Sequence, residues 1–92
     1  MVVYVWGMGK AGIPLALSMA ESGMKVVGID IDKKRVDELN KGINPIPEEP
    51  MVSELLKKHI GKNFTAMTSD DYSKEVEEKK VRKDNLKKQR IR

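Results

Sequence analysis

The chain has 92 residues, enough for one small domain and too few for a two-domain enzyme. It is 39% hydrophobic and 35% charged, with no cysteine and a single histidine, which excludes a disulfide framework, a thiol nucleophile and a Cys/His metal cluster. The net charge of +4 is uneven: residues 1–73 hold nine Lys/Arg against ten Asp/Glu, and residues 74–92 hold nine against four, so the basic balance belongs to the C-terminal segment.

Val2–Trp6 is an unbroken apolar run. Such a run suits a parallel strand covered on both faces. Gly7-Met8-Gly9-Lys10-Ala11-Gly12 follows it and opens onto Ile13-Pro14-Leu15-Ala16-Leu17. The order strand, glycine loop, helix is the context that gives this glycine spacing its meaning as a dinucleotide-binding fingerprint. Gly7 lets the chain turn out of the strand. Gly9 lets backbone approach a pyrophosphate, and Gly12 lets the helix pack closely on the strand. The helix is predicted over residues 11–22, with Pro14 in its first turn and Gly23 as its stop. Its first N–H groups, from Lys10 and Ala11 onward, would face the phosphates.

A second strand is predicted over residues 25–30 and ends in Asp30. Its carboxylate would accept hydrogen bonds from an adenosine ribose and repel a 2′-phosphate, which points to NAD and away from NADP. Asp32 is the predicted N-cap of a helix over residues 33–41, with Val36 and Leu39 facing inward. Asp30 and Asp32 also lie close enough to form a carboxylate pair. Three prolines within residues 43–50 exclude regular structure there. A third helix is predicted over residues 51–60, with Pro50 at its start and Met51, Val52, Leu55, Leu56 and His59 near one face. His59 reads as a partly buried or surface residue, not a ligand. A short third strand covers residues 64–67, and Ser69 or Asp70 would cap a last helix. Met8, Met19, Met24, Met51 and Met67 read as gap-filling core or near-core residues. The order β-α-β-α-α-β-α, with right-handed crossovers, gives an α/β fold: a truncated Rossmann-like half with a parallel sheet in the order 3-2-1 and a charged C-terminal tail. The predicted division is residues 1–72 for the half domain and 73–92 for a solvated tail.

These residues resemble the N-terminal half of the UDP-glucose/GDP-mannose dehydrogenase family. The resemblance lies in the glycine loop and its helix, in Val26-Val27-Gly28-Ile29-Asp30, in Leu39-Asn40-Lys41-Gly42-Ile43-Asn44-Pro45-Ile46-Pro47-Glu48, and in Phe64-Thr65-Ala66-Met67-Thr68. It implies NAD as cofactor, held by Gly7, Gly9, Lys10, Ala11, Gly12 and Asp30, with Arg35 at a basic position on the adenosine side. It also implies descent from enzymes that oxidise C6 of a nucleotide-linked hexose through a cysteine thiohemiacetal; relatives acting on UDP-N-acetylmannosamine or UDP-N-acetylglucosamine are among them. Glu48 would touch the nucleotide sugar in a complete enzyme, or else rigidify its loop. Lys10 stands where that family often has tyrosine, and Glu49-Pro50 where it often has Pro-Gly.

After Tyr72 the sequence departs from the family and becomes charged. The catalytic cysteine, the active-site lysine and the sugar-binding domain have no counterpart in these residues, so no catalytic or metal residue is assigned. The expectation is a binder of NAD or an ADP-like ligand without turnover. The alternative is a non-enzymatic homo-oligomeric module, or a truncated gene product without cofactor binding. A homo-oligomer would cover the edge of the strand Val2–Trp6, and a separately encoded remainder of the dehydrogenase is a further partner. Val76, Val81, Leu86 and Ile91 recur every five residues, spread around a helix and form no stripe. The tail has no aromatic residue to stack on bases, so nucleic acid is set aside. No apolar run approaches the ~20 residues of a membrane span. Met1 leads straight into the first strand without a basic leader, so the expected localisation is cytoplasmic.

Overall fold

The computed structural model describes residues 1–77. Their order is β1 (Val2–Trp6), α1 (Gly12–Glu21), β2 (Lys25–Asp30), α2 (Lys33–Asn40), α3 (Pro50–His59) and β3 (Phe64–Thr68). A helical stretch over residues 69–77 follows, here α4. The strands form one parallel sheet with β2 in the middle. This is the expected 3-2-1 order. Residues 78–92, which carry most of the predicted tail including Val81, Leu86 and Ile91, lie outside the described residues.

Local chemistry fixes the element ends. Gly23, at φ +99°, takes the left-handed conformation that turns α1 toward β2. Asp32 caps α2 as expected: its side chain accepts the Arg35 N–H at 3.3 Å. Pro50 occupies the first turn of α3, where its missing N–H has no helical partner to lose. The last helix corrects the sequence reading, because its cap is neither Ser69 nor Asp70. The Thr68 hydroxyl, at the end of β3, accepts the Asp71 N–H at 3.1 Å.

One face of the sheet carries the core. Val5 of β1, Val26 of β2, and Phe64 and Ala66 of β3 pack against Ile13, Ala16, Leu17 and Ala20 of α1, Val36 and Leu39 of α2, and Val52 and Leu56 of α3. Ile46, from the proline-rich loop, joins the same cluster. Two methionines expected at or near the core lie outside it: Met24 is 46% and Met51 69% exposed. Met51 stands beside Val52 at the start of α3, where the periodicity marks a stripe broader than the sheet covers.

The opposite face corrects a second expectation, that β1 is covered on both sides. Strand register puts Val2, Tyr4, Trp6, Val27 and Ile29 on that face. Tyr72 of α4 lies over one end of it, edge-on to Tyr4 and Trp6 at ring-centroid distances of 5.4 and 5.1 Å. Ile29 is fully buried there, yet Val2, Tyr4 and Trp6 stay 43%, 42% and 59% exposed among the described residues.

The two margins of the sheet also differ. On the β3 side, the Asn40 side chain acts as a one-residue strand: its Nδ2 donates to the Ala66 carbonyl at 2.9 Å and its Oδ1 accepts the Ala66 N–H at 3.0 Å. That amide blunts an edge that would otherwise invite pairing. On the β1 side, no strand pairs with the outer edge among the described residues. At the amino end of the sheet, buried His59 bridges Glu21 (Nε2 to Oε1, 2.7 Å) and Asn63 (Nδ1 to Oδ1, 2.8 Å). Both ring nitrogens thus have protein partners, in keeping with a structural histidine.

Candidate functional site

The glycine loop joins β1 to α1. Gly7 has φ +91°, a conformation that disfavours side chains, and its N–H donates to the Ile29 carbonyl at 2.7 Å. The chain therefore turns while still tied to β2. Gly12 faces the same residue from the helix side: a Cβ there would overlap the Gly7 carbonyl oxygen. Close packing of helix on strand is thus the physical requirement at Gly12. Gly9 differs. A Cβ there would meet nothing nearer than the Arg35 guanidinium at 3.9 Å. The fold does not need that position bare, and the space beside it is open to a ligand.

The start of α1 is electrostatically open. Its N-cap, Ala11, offers no side-chain hydrogen bond, and its first turn holds no acidic residue. Ile13 N–H donates to the Gly9 carbonyl at 3.0 Å, so the helical ladder begins inside the glycine loop. The N–H groups ahead of it carry the positive end of the helix dipole toward solvent.

Asp30 reaches this loop from the end of β2. One carboxylate oxygen accepts the Met8 N–H at 2.7 Å and the other accepts the Asp32 N–H at 2.9 Å. Partial burial pushes its carboxyl up, but the Asp32 and Met8 N–H groups and the Arg35 guanidinium outweigh this and hold it below the usual carboxylate range. The expected alternatives at Asp30 and Asp32 are thereby resolved: Asp32 turns away to cap α2. Arg35 closes the arrangement by donating to the Met8 carbonyl at 2.9 Å. The backbone of Met8 is thus held on both sides, by a carboxylate on its N–H and a guanidinium on its C=O.

Lys10 points elsewhere. Its ammonium pairs with Glu48 of the proline-rich loop at 3.3 Å. That loop is held in shape by Asn44, whose Nδ2 donates to the Glu49 carbonyl and the Ser53 hydroxyl at 3.0 Å each, and whose Oδ1 accepts the Ile46 N–H at 2.8 Å. The Glu48 carboxyl lies below the usual range, first through its own backbone N–H and then through Lys10.

Gly7, Gly9, Lys10, Ala11, Gly12, Asp30 and Arg35 therefore meet around one loop. Met8 is a core residue, as expected; sequence reasoning missed its backbone as the partner of Asp30 and Arg35, and missed Gly28 as its neighbour. Met8 is fully buried, and a Cβ on Gly28 would overlap its sulfur. The alternation within Val26–Asp30 places Gly28 toward the helices, a signal that was legible. A separate groove of about 350 Å³ runs between α2 and α4 and is lined by Lys33, Asp37, Asp70 and Lys74 among others. Its charges are mixed, and none of the seven loop residues lines it. Among the described residues, no cluster of His, Cys, Asp or Glu could hold a metal ion and no helix is long and apolar enough to cross a membrane.

Residues 1–82 match the model of the UDP-glucose/GDP-mannose dehydrogenase family, NAD binding domain. The chain is 48% identical over 69 residues to the uncharacterized protein MJ1054 of Methanocaldococcus jannaschii, which covers 75% of this chain and 8% of that one. It is 42% identical over 59 residues to UDP-glucose 6-dehydrogenase YwqF of Bacillus subtilis, covering 64% of this chain and 13% of that protein. Among solved structures it is similar to UDP-D-ManNAc dehydrogenase from Pyrococcus horikoshii, with TM-score 0.69 and 32% identity over 74% of this chain and 16% of that one. The chain thus spans no more than about a sixth of the length of these proteins.

Proposed function

This chain belongs to the UDP-glucose/GDP-mannose dehydrogenase family through its NAD binding domain, and on that premise we propose that residues 1–72 hold the adenosine diphosphate half of NAD. The observation that carries the reading is the coupling of Asp30 to the glycine loop through the Met8 N–H. It fixes the ribose acid and the phosphate loop as one rigid unit, as simultaneous contact with both parts of a nucleotide requires.

The residues suit the ligand. The uncapped start of α1 supplies N–H donors and the positive dipole end for a diphosphate. Gly9 leaves room for the phosphates to approach backbone. The Asp30 oxygens accept the Met8 and Asp32 N–H groups and keep lone pairs for ribose hydroxyls. Its negative charge disfavours a 2′-phosphate. Arg35 stands on the adenosine side of the loop. NAD, when bound, supplies hydride-accepting chemistry at its nicotinamide. The residues of this chain bind and orient; none is assigned to a chemical step, and with no cysteine in the chain the thiohemiacetal route needs a thiol from elsewhere. On this reading the 92 residues bind cofactor without oxidising a nucleotide sugar alone.

Isothermal calorimetry tests the reading. NAD is expected to bind at least tenfold more tightly than NADP, and Asp30→Ala is expected to erase the difference. Equal affinities in the parent protein would contradict the role of Asp30.

A second reading concerns assembly. The β1 edge lies unpaired among the described residues beside half-exposed Val2, Tyr4 and Trp6, whereas Asn40 blunts the β3 edge. A second copy pairing along Val2–Trp6 would cover both the edge and the aromatic face. Co-purification of a cysteine-containing chain at the same edge would favour a separately encoded dehydrogenase remainder instead.

A further inference from the structure

Lys10 is a cation at the one end of α1 where a cation is disfavoured. The helix dipole is positive there, and the first turn has no acid to offset it. The compensation comes from another element, the Glu48 carboxylate at 3.3 Å. Glu48 is delivered by a loop with little freedom to drift: Ile46 is buried in the core, and Asn44 fixes the turn with three hydrogen bonds. A carboxylate is thus held against the ammonium of Lys10, two residues ahead of the uncapped helix start. It neutralises a charge that would otherwise be free to meet an anion at that helix start.

We propose that Glu48 competes with the diphosphate of the cofactor for the Lys10 ammonium, so that the proline-rich loop sets the affinity of the phosphate loop. This rests on the cofactor reading above. When a diphosphate arrives, Lys10 leaves Glu48 and turns to the phosphate oxygens. The Lys10–Glu48 tie between the two loops is then lost. Exposure keeps the exchange cheap, since the Lys10 and Glu48 side chains are 78% and 50% accessible. Ion pairs of that kind hold by about two- to fivefold in an equilibrium constant. Such a pair can tune a binding constant without blocking it.

A double-mutant cycle read by calorimetry tests this, with ADP as the diphosphate probe and adenosine as the diphosphate-free control. Glu48→Gln is expected to tighten ADP binding by about two- to fivefold. Lys10→Met is expected to weaken it, and adding Glu48→Gln to Lys10→Met is expected to bring no gain. Adenosine is expected to bind equally to all four proteins. ADP binding by the parent that does not respond to Glu48→Gln would overturn the proposal alone. So would an equal gain in the Lys10→Met background, because Glu48 would then act by general repulsion. Absence of ADP binding in all four proteins, with unchanged circular dichroism, would overturn the cofactor reading and this proposal with it.

Discussion

Three glycines of one loop carry three different demands, and substitution separates them. At Gly12 a methyl group meets backbone, which cannot swing aside. Gly12→Ala is expected to cost at least about 3 kcal/mol of folding stability, measured by urea denaturation. At Gly9 a methyl group has room. Gly9→Ala is expected to keep stability within about 0.5 kcal/mol of the parent while weakening NAD at least tenfold. The glycine spacing and its flanks made this loop legible from sequence. The Met8 partner of Asp30 was not legible, because it lies 22 residues away and only the turn geometry brings its N–H to the carboxylate. That pairing has a pH consequence. The Asp30 carboxyl titrates lower in the folded protein than in the unfolded chain. The stability it contributes is therefore present above the unfolded value near ~3.9 and is lost as pH falls through the folded value. Thermal unfolding between about pH 5 and pH 2 is expected to show a shallower acid loss in Asp30→Asn than in the parent.

At the scale of elements, periodicity and punctuation were enough to place three strands and three helices within a residue or two of their observed ends. Glycines past the helix ends, the Asp32 cap and Pro50 act locally, so sequence displays them. What sequence concealed were amides that tie distant elements together. Asn40 reads as one more residue of the helix predicted over 33–41, yet it closes the backbone of Ala66 across 26 residues. Asn63 lies between α3 and β3, and its Nδ2 donates to the Ala20 carbonyl at 2.7 Å and the Met24 carbonyl at 3.1 Å. Its Oδ1 then faces His59. Periodicity carries no information about such pairs, because the asparagine amide bonds backbone groups, whose availability does not depend on the side chain. Asn40→Ala leaves both Ala66 groups without their partner and is expected to cost about 1–2 kcal/mol in chemical denaturation. Asn40→Asp keeps an acceptor for the Ala66 N–H but sets a carboxylate against the Ala66 carbonyl, so it is expected to restore none of the loss.

At the scale of the whole molecule, one sheet face is sealed by three helices and the other is partly covered by Tyr72. A core built by so few residues is thin, and small domains often gain stability by association. Light scattering at micromolar concentration is expected to give a mass above the 10.4 kDa of one chain. Trp6→Lys, on the exposed face and next to the open edge, is expected to shift that mass toward one chain. A monomeric parent would contradict assembly through β1 and leave the cofactor site untouched. On the proposed function, the junction of the glycine loop, Asp30 and the start of α1 holds a nucleotide. Titration of ¹⁵N-labelled protein with NAD, followed by amide NMR, tests it most directly. Saturable shifts are expected, centred on Gly9, Lys10, Ala11, Gly12 and Ile31 and absent in Gly9→Val. Saturable shifts confined to other surfaces, or none at millimolar NAD, would contradict it.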